Sequence, residues 1–210
     1  MLENVFYINL DSQVDRRVHV EAQLEKMGWK YSRFPAIKKA DGRLGCAMSH
    51  LKVITMAKEM NLPFVCVVED DIMFQKPDFY RKQLKKYLSS NPEFDVFLIA
   101  GNTVGGSSSD GKKRTERISE NVSRVYKSFT TTGYIVKCHY YDTLIENFKS
   151  SVLGLMKTPG DNRFAIDVNW FPLQAKDKWM MITPRTVTQL PGYSSIEKRV
   201  VSYHHVMLDI

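Results

Sequence analysis

The hydrophobic residues of the first hundred positions fall into short continuous runs separated by longer amphipathic stretches. Residues 5–10, 64–68 and 95–100 form such runs, and their length and apolar character predict buried strands. Polar residues follow each run directly. In sheets of this type ligands bind beyond the carboxyl ends of the strands, so these polar positions are the first candidates for a functional site.

The stretches between the runs carry hydrophobic residues at helical spacing. Residues 20–27 form one helical pattern that ends at Gly28, residues 47–60 form a second, and Pro77 suits the first turn of a third. Residues 31–45 show no regular pattern. The alternation of strand and helix predicts an α/β domain with a mainly parallel sheet, flanked by helices that make right-handed crossovers.

The second half of the chain is less regular. Residues 122–126, 131–136 and 179–183 are strand-like and residues 140–148 are helical, which predicts antiparallel additions to the sheet. Residues 101–117 are polar and rich in glycine and serine. A loop of this length is typical either of a mobile lid or of an irregular surface segment, and both interpretations stay open.

The composition is that of an ordinary globular protein, with 43% hydrophobic and 25% charged residues among 210. This excludes a disordered or collagen-like chain and predicts a single domain over residues 1–210. No run approaches the roughly 18 apolar residues of a membrane-spanning helix. The start of the chain lacks the pattern of a signal peptide, so we expect a cytoplasmic protein. Cys46, Cys66 and Cys138 are too few and too far apart to predict disulfides or a zinc site.

The formal net charge of +7 suits a protein that meets phosphates or an anionic membrane face, and so permits peripheral membrane association. A nucleic-acid binder would interleave basic residues with exposed aromatics. The basic run at residues 81–86 instead fits the solvated face of a helix. No nucleic-acid partner is therefore expected.

Three consecutive acids, Glu69, Asp70 and Asp71, follow the run at residues 64–68 directly. On an extended chain alternate side chains face the same way, so Glu69 and Asp71 would point together. Two carboxylates at this spacing suit a hard divalent cation such as Mn²⁺ or Mg²⁺, which would also relieve the repulsion among the acids. The alternative is that the acids are solvated or pair with nearby basic residues.

Other motifs stand in a fixed order around this triplet. They are Ile8-Asn9-Leu10-Asp11 with Arg16, Ala36-Ile37 with Gly42, the G-C-x-x-S-H pattern at residues 45–50, and Pro184-Arg185-Thr186-Val187 with Gln189 and Ser194-Ser195-Ile196. This succession resembles glycosyltransferase family 25, the lipooligosaccharide and procollagen β-glycosyltransferase-like group, over about residues 4–196. The resemblance implies a GT-A-like fold, a divalent metal, and inverting transfer of a hexose from a UDP-sugar, UDP-galactose or UDP-glucose, to a hydroxyl of a glycan, lipid-linked or protein acceptor.

The resemblance also implies residues that hold the donor. Asn9 and Asp11 match the place of the nucleotide base and ribose, and Arg16 would neutralise phosphate. The alternative for Asp11, shared with Ser12, is a cap on the following helix.

Four further positions extend this donor site by the same resemblance. Ser49 and His50 would hold the diphosphate or orient the acids, although a partly buried helix histidine is a common structural feature. Asp70 would hold the ribose or a metal-bound water. Gly133 would line the sugar pocket, or would serve close packing within a strand.

Metal and catalytic roles complete the implied site. Asp71 is the first candidate for the metal, with Glu69 beside it and His204 completing the shell. Asp167 is the candidate base that deprotonates the acceptor hydroxyl, with Asp161 as a weaker candidate; the alternative for Asp167 is a helix N-cap.

We therefore expect the two halves of the chain to bind different substrates: residues 1–100 the nucleotide-sugar and residues 118–210 the acceptor. Two other functions stay open. One is a catalytically inactive nucleotide-sugar-binding module on the same fold. The other is a metal-dependent nucleotidyltransferase, although the glycine-rich phosphate loop usual after the first strand is missing here.

Overall fold

A computed structural model describes residues 2–103, 113–194, 196–197 and 199–209. Most of the glycine- and serine-rich segment, considered above as a lid, and Ser195 of the late motif lie outside the described residues. The strands are β1 (Val5–Asn9), β2 (Tyr31–Pro35), β3 (Phe64–Glu69), β4 (Ile72–Phe74), β5 (Val96–Leu98), β6 (Thr115–Ser119), β7 (Val122–Val125), β8 (Gly133–Lys137), β9 (Trp179–Ile182), β10 (Val187–Gln189), β11 (Gly192–Ser194) and β12 (Arg199–Val201).

The helices confirm the helical patterns of the first half and extend those of the second. They are α1 (Val14–Met27), α2 (Gly42–Glu59), α3 (Pro77–Ser89), α4 (Tyr141–Lys157), α5 (Ile166–Asn169), α6 (Phe171–Lys176) and α7 (His204–Met207). Gly28 ends α1 in the left-handed conformation, with φ of 67°. Within the described ranges, no helix combines the length and apolar character needed to cross a bilayer.

The central sheet has the strand order β2-β1-β3-β8-β5-β9-β7-β6. The neighbours β2, β1 and β3 are parallel, as are β5 and β9, whereas β8 and β7 run against their neighbours. In the described part of the chain, six strands of this sheet therefore share one direction. The prediction of a mainly parallel α/β sheet with antiparallel additions from the second half is confirmed.

Residues 31–45, which are less regular in sequence, do form a regular strand. They contain β2, which pairs in parallel with β1 along its whole length. None of the β2 side chains is fully buried, so this edge strand lacks the apolar run that marks the central strands. The start of α2 was also missed: Asp41 caps the helix by accepting a hydrogen bond from the Arg43 amide at 3.0 Å.

Two hydrophobic layers cover the faces of the sheet. Cys66 and Val68 of β3 face the layer under α1 and α3, while Val65 and Val67 face the layer under α2 and α4. This alternation buries β3 on both sides, as its continuous apolar sequence requires. Trp170 and Trp179 lie fully buried in the second layer and belong to the core. The exposed lysines of α3 confirm that residues 81–86 form a solvated helix face.

Candidate functional site

A groove of about 820 Å³ lies beyond the carboxyl ends of β1 and β3. Its floor holds the acidic triplet at residues 69–71 together with Arg16. One wall is the segment that precedes α2, and Asp167 and the β11–β12 hairpin also line the groove. The groove therefore brings together residues from both halves of the chain.

Asp70 is fixed on the floor by two side chains from the start of the chain. Asn9, the last residue of β1, donates from Nδ2 to Asp70 Oδ2 at 2.8 Å. Arg16 in the first turns of α1 donates from Nη1 to Asp70 Oδ1 at 3.0 Å. Burial raises the pKa of Asp70, and these two donors oppose that rise. Both carboxylate oxygens of Asp70 are thus already engaged.

Asp71 has weaker partners. Arg16 Nη1 lies 3.4 Å from its Oδ2, and Gln189 Nε2 donates to its Oδ1 at 3.5 Å. Burial, followed by the charge of Glu69, raises the Asp71 pKa from 3.8 to about 8. The neighbouring Asp70 raises it further, and Arg16 opposes the rise. The guanidinium of Arg16 is therefore shared between Asp70 and Asp71.

Glu69 has a different set of partners from Asp70 and Asp71. Its Oε1 accepts from Thr131 Oγ1 at 2.6 Å and lies 3.2 Å from His50 Nε2 and 3.9 Å from Cys46 Sγ. Burial works against the charged carboxylate, but the hydrogen bonds from His50 and Thr131 outweigh it and lower the Glu69 pKa. Glu69 and Asp71, two residues apart, thus have pKa values shifted in opposite directions.

The acidic triplet is not extended, contrary to the expectation from its sequence. Glu69 is the last residue of β3, and Asp70 and Asp71 form the turn into β4. The short pairing of β4 with β10 places Gln189 opposite Ile72, next to the turn. Strand alternation therefore does not bring Glu69 and Asp71 together; the turn sets the direction of each carboxylate.

Asp167 lines the same groove as the triplet. Its Oδ2 accepts a hydrogen bond from the Thr130 amide at 3.1 Å. Burial raises its pKa, and the charge of Glu69 adds to that rise. The interpretation of Asp167 as a helix cap is wrong, because Ala165 is the N-cap residue of α5. Asp161 instead caps the following turn through the Arg163 amide.

Two predicted donor residues have structural partners of their own. Asp11 is exposed and forms an ion pair with Arg33, and it does not cap α1, whose N-cap residue Gln13 makes no side-chain cap. Ser49 Oγ donates to the Gly45 carbonyl at 2.7 Å and accepts from the Ile37 amide at 2.8 Å. Ser49 thus anchors the groove wall to α2.

Gly133 and His204 lie outside the lining of the groove as the described residues define it. A Cβ on Gly133 would lie 3.0 Å from Ile72 Cδ1 and 3.1 Å from Ile99 Cβ, so this glycine serves close packing within the sheet. His204 follows the groove-lining Tyr203 directly. Its Nε2 is buried and has no hydrogen-bond partner among the described residues.

Thr131 and Gln189 complete the site, and the contact of each with an acid of the triplet was not predicted from sequence. Thr131 reaches Glu69 because β8, which follows it, pairs antiparallel with β3. Gln189 reaches Asp71 because β10 pairs with β4. Both contacts depend on pairings between distant segments that no local pattern reveals. Cys46 and His50, by contrast, share one motif and sit four residues apart on α2.

The comparison with protein families agrees with this arrangement. Residues 38–163, more than half of the chain, match the model described as glycosyltransferase family 25 (LPS biosynthesis protein). The chain belongs to glycosyltransferase family 25. The match begins in the groove wall and includes the G-C-x-x-S-H motif, the acidic triplet and Thr131.

Curated relatives of this family 25 chain are similar over parts of it. A glycosyltransferase 25 family member of Drosophila pseudoobscura pseudoobscura is 24% identical over 173 residues, which cover 64% of this chain and 26% of the relative. A glycosyltransferase of Haemophilus influenzae is 38% identical over 53 residues, covering 25% and 19% of the two chains. The chain therefore spans at most about a quarter of the length of these relatives.

Solved structures support the GT-A-like fold of this family 25 chain. A glycosyltransferase involved in glycosylation of the major capsid of PBCV-1 superposes with a TM-score of 0.51 at 8% identity, covering 86% of this chain and 82% of the other. UDP-glucose pyrophosphorylase complexed with UDP-glucose gives 0.50 at 9% identity, covering 87% and 90%. At this identity the likeness concerns the fold alone.

Proposed function

We propose that this chain is an inverting, metal-dependent glycosyltransferase that moves a hexose from a UDP-sugar to a hydroxyl group of a glycan, lipid-linked or protein acceptor. UDP-galactose and UDP-glucose are the proposed donors. The observation that carries the proposal is the buried carboxylate of Asp71 at the strand end, which shares one guanidinium with Asp70 and faces a groove wide enough for a nucleotide-sugar.

The groove residues fit a hard divalent cation such as Mn²⁺ or Mg²⁺. Asp71 offers carboxylate oxygens, the ligands that these ions prefer. Its pKa is raised by burial first and by the charge of Glu69 second, and a bound divalent cation would favour the charged carboxylate against both. Glu69 and His204, whose buried Nε2 lacks a partner among the described residues, are the proposed further ligands. When bound, the ion supports the negative charge of the departing diphosphate.

The donor side of the groove is assigned to residues 1–100. Asn9 and Arg16 hold Asp70 in place, and the remaining donor groups of Arg16 are suited to a phosphate oxygen. His50 keeps Glu69 in a fixed orientation and lowers its pKa, so its role is positioning. Family resemblance keeps Asp11 and Gly133 as proposed donor contacts, but their structural contacts give them no support.

The acceptor side is assigned to residues 118–210, with Asp167 as the base. Burial raises the pKa of Asp167, which makes its carboxylate a stronger proton acceptor. An inverting transfer needs such a base on the face of the sugar opposite the leaving UDP. The place of Asp167 in the lining of the groove that also holds the acidic triplet supports this role.

The test is release of UDP from UDP-glucose, UDP-galactose and UDP-N-acetylglucosamine, each with and without Mn²⁺. We expect metal-dependent release that Asp71→Ala abolishes and that Asp78→Ala, an exposed acid on α3, leaves unchanged. UDP binding without release under any acceptor would favour the inactive binding module. Pyrophosphate formed from a nucleoside triphosphate would favour a nucleotidyltransferase, the function of one structural neighbour.

A further inference from the structure

A second group of ligand atoms lies on the groove floor beside the acidic turn. Cys46 and His50 are four residues apart on α2, so both side chains lie on the same face of the helix. That face meets the end of β3 at Glu69. The thiol of Cys46, the Nε2 of His50 and a carboxylate oxygen of Glu69 all lie within 4.8 Å of one another.

The separations match those of a tetrahedral zinc site. Zinc bonds of about 2.3 Å to sulfur and about 2.0–2.2 Å to nitrogen and oxygen imply separations of about 3.3–3.6 Å between the ligand atoms. His50 Nε2 lies 3.2 Å from Glu69 Oε1, and Cys46 Sγ lies 3.9 Å from the same oxygen. The two measured separations are within a few tenths of an ångström of these values, and the third, between Cys46 Sγ and His50 Nε2, is below 4.8 Å.

The surroundings of these three residues resemble the outer shell of a metal centre. His50 Nδ1 lies 2.8 Å from the hydroxyl of the fully buried Tyr134. This hydroxyl can accept a hydrogen bond from Nδ1 in the tautomer that binds the ion, in which Nε2 gives up its hydrogen bond to Glu69. Thr131 Oγ1 donates to Glu69 Oε1 at 2.6 Å and fixes the carboxylate. The ligand set is therefore held by residues from β8 and the loop before it.

The ligand set also has an open side. Cys46, His50 and Glu69 all line the groove, so an ion can enter and a fourth ligand can come from solvent. Thiolate and imidazole favour zinc over the Mn²⁺ and Mg²⁺ that carboxylates alone prefer.

We propose that Cys46, His50 and Glu69 form a binding site for Zn²⁺ or a similar thiophilic ion, distinct from the Mn²⁺ or Mg²⁺ site proposed at Asp71. Binding displaces the thiol proton of Cys46 to solvent, and the groove supplies the fourth ligand. Glu69 is common to both sites, so the two ions would compete for its carboxylate. This inference concerns metal binding alone and goes beyond the proposed transfer reaction.

The test is titration of the metal-free protein with Co²⁺, which reports a thiolate ligand by a charge-transfer band in the near ultraviolet. We expect one equivalent of Co²⁺ to produce the band and Zn²⁺, but not Mg²⁺, to abolish it. Cys46→Ser should lose the band, whereas Cys138→Ser, which removes an exposed thiol, should keep it. Asp71→Asn should also keep it, because the acidic turn is not part of this site.

Two further measurements test the site independently of the cobalt spectrum. Tyr134→Phe should weaken Zn²⁺ binding about 10–100-fold, the usual effect of removing an outer-shell partner. In the unmodified sequence, Zn²⁺ should protect Cys46 but not Cys138 from alkylation, so the test does not depend on folding of the Cys46 variant. Absence of the thiolate band at excess Co²⁺, or its survival in a folded Cys46→Ser variant, would overturn the site. Neither measurement depends on glycosyl transfer. Failure of the proposed zinc site can therefore be distinguished from failure of the proposed transferase function.

Discussion

Replacing Asp71 by asparagine should stabilise the metal-free protein while removing its metal-dependent function. Asparagine keeps the shape of the side chain and the oxygen that accepts from Gln189, removes the charge, and replaces the oxygen near Arg16 by an amide nitrogen. That charge is unfavourable in the folded state because the side chain is buried beside Glu69 and Asp70, with Arg16 shared between two aspartates.

The size of the effect follows from the pKa of Asp71. The folded state raises it from 3.8 to about 8, so the folded protein binds this proton more tightly than the unfolded chain. The native contribution of Asp71 is therefore fully present below about pH 4 and is lost as the pH rises to about 8. At about 1.4 kcal/mol for each pKa unit, the full shift from 3.8 to about 8 corresponds to about 6 kcal/mol. Water in the groove reduces this, and we expect a gain of about 2–5 kcal/mol for Asp71→Asn above pH 8.

The assay is chemical denaturation of both proteins in a chelating buffer over this pH range. The gain in the free energy of unfolding should be near zero below about pH 4 and should grow to a plateau above about pH 8. Glu69→Gln provides the contrast. The Glu69 pKa is lowered, so its charged form contributes stability, and the amide should be destabilising at neutral pH.

Two results would refute the reasoning. One is a difference between Asp71→Asn and the parent protein that does not vary with pH. The other is a loss of stability for Asp71→Asn above pH 8. Either would mean that the charge of Asp71 is compensated in the folded state and that no cation is needed there.

Three other substitutions test separate contacts. Arg16→Ala should weaken UDP binding about 10-fold or more in titration calorimetry, because hydrogen bonds to charged groups are worth about 1.5–3 kcal/mol. An unchanged affinity would show that Arg16 does not contact the donor. His50→Ala should cost about 1–3 kcal/mol in urea denaturation because buried Glu69 loses its partner, and an unaltered midpoint would contradict that contact. Gly154→Ala should cost about 1–3 kcal/mol in thermal unfolding, since its Cβ would lie 2.1 Å from Phe164 Cδ1; an equally stable variant would show that the ring moves freely.

The secondary-structure elements that were predicted correctly are those whose buried faces give a clear local pattern of hydrophobic residues. The strand β3 is apolar at every position before Glu69, because both of its faces are covered, and α1 ends at a glycine that adopts positive φ. The edge strand β2 has no fully buried side chain and no such pattern. The pairing of β2 with β1 could therefore be identified only from the structure.

The candidate site was predictable only as far as its residues are neighbours in sequence. The acidic triplet and the Cys46–His50 pair stand out as motifs. The turn at Asp70–Asp71, which ends the extended course of the triplet, depends on the pairing of β4 with a segment more than a hundred residues away. Thr131 comes to Glu69 through a comparable pairing, so its role was hidden as well.

The central claim is that the acidic turn binds a divalent cation together with the diphosphate of a nucleotide-sugar. A crystal structure with Mn²⁺ and UDP-galactose or UDP-glucose tests it most directly. We predict that the cation contacts an Asp71 carboxylate oxygen and both phosphates, with the hexose facing Asp167. A nucleotide bound away from the turn, or a cation that does not touch Asp71, would contradict the account.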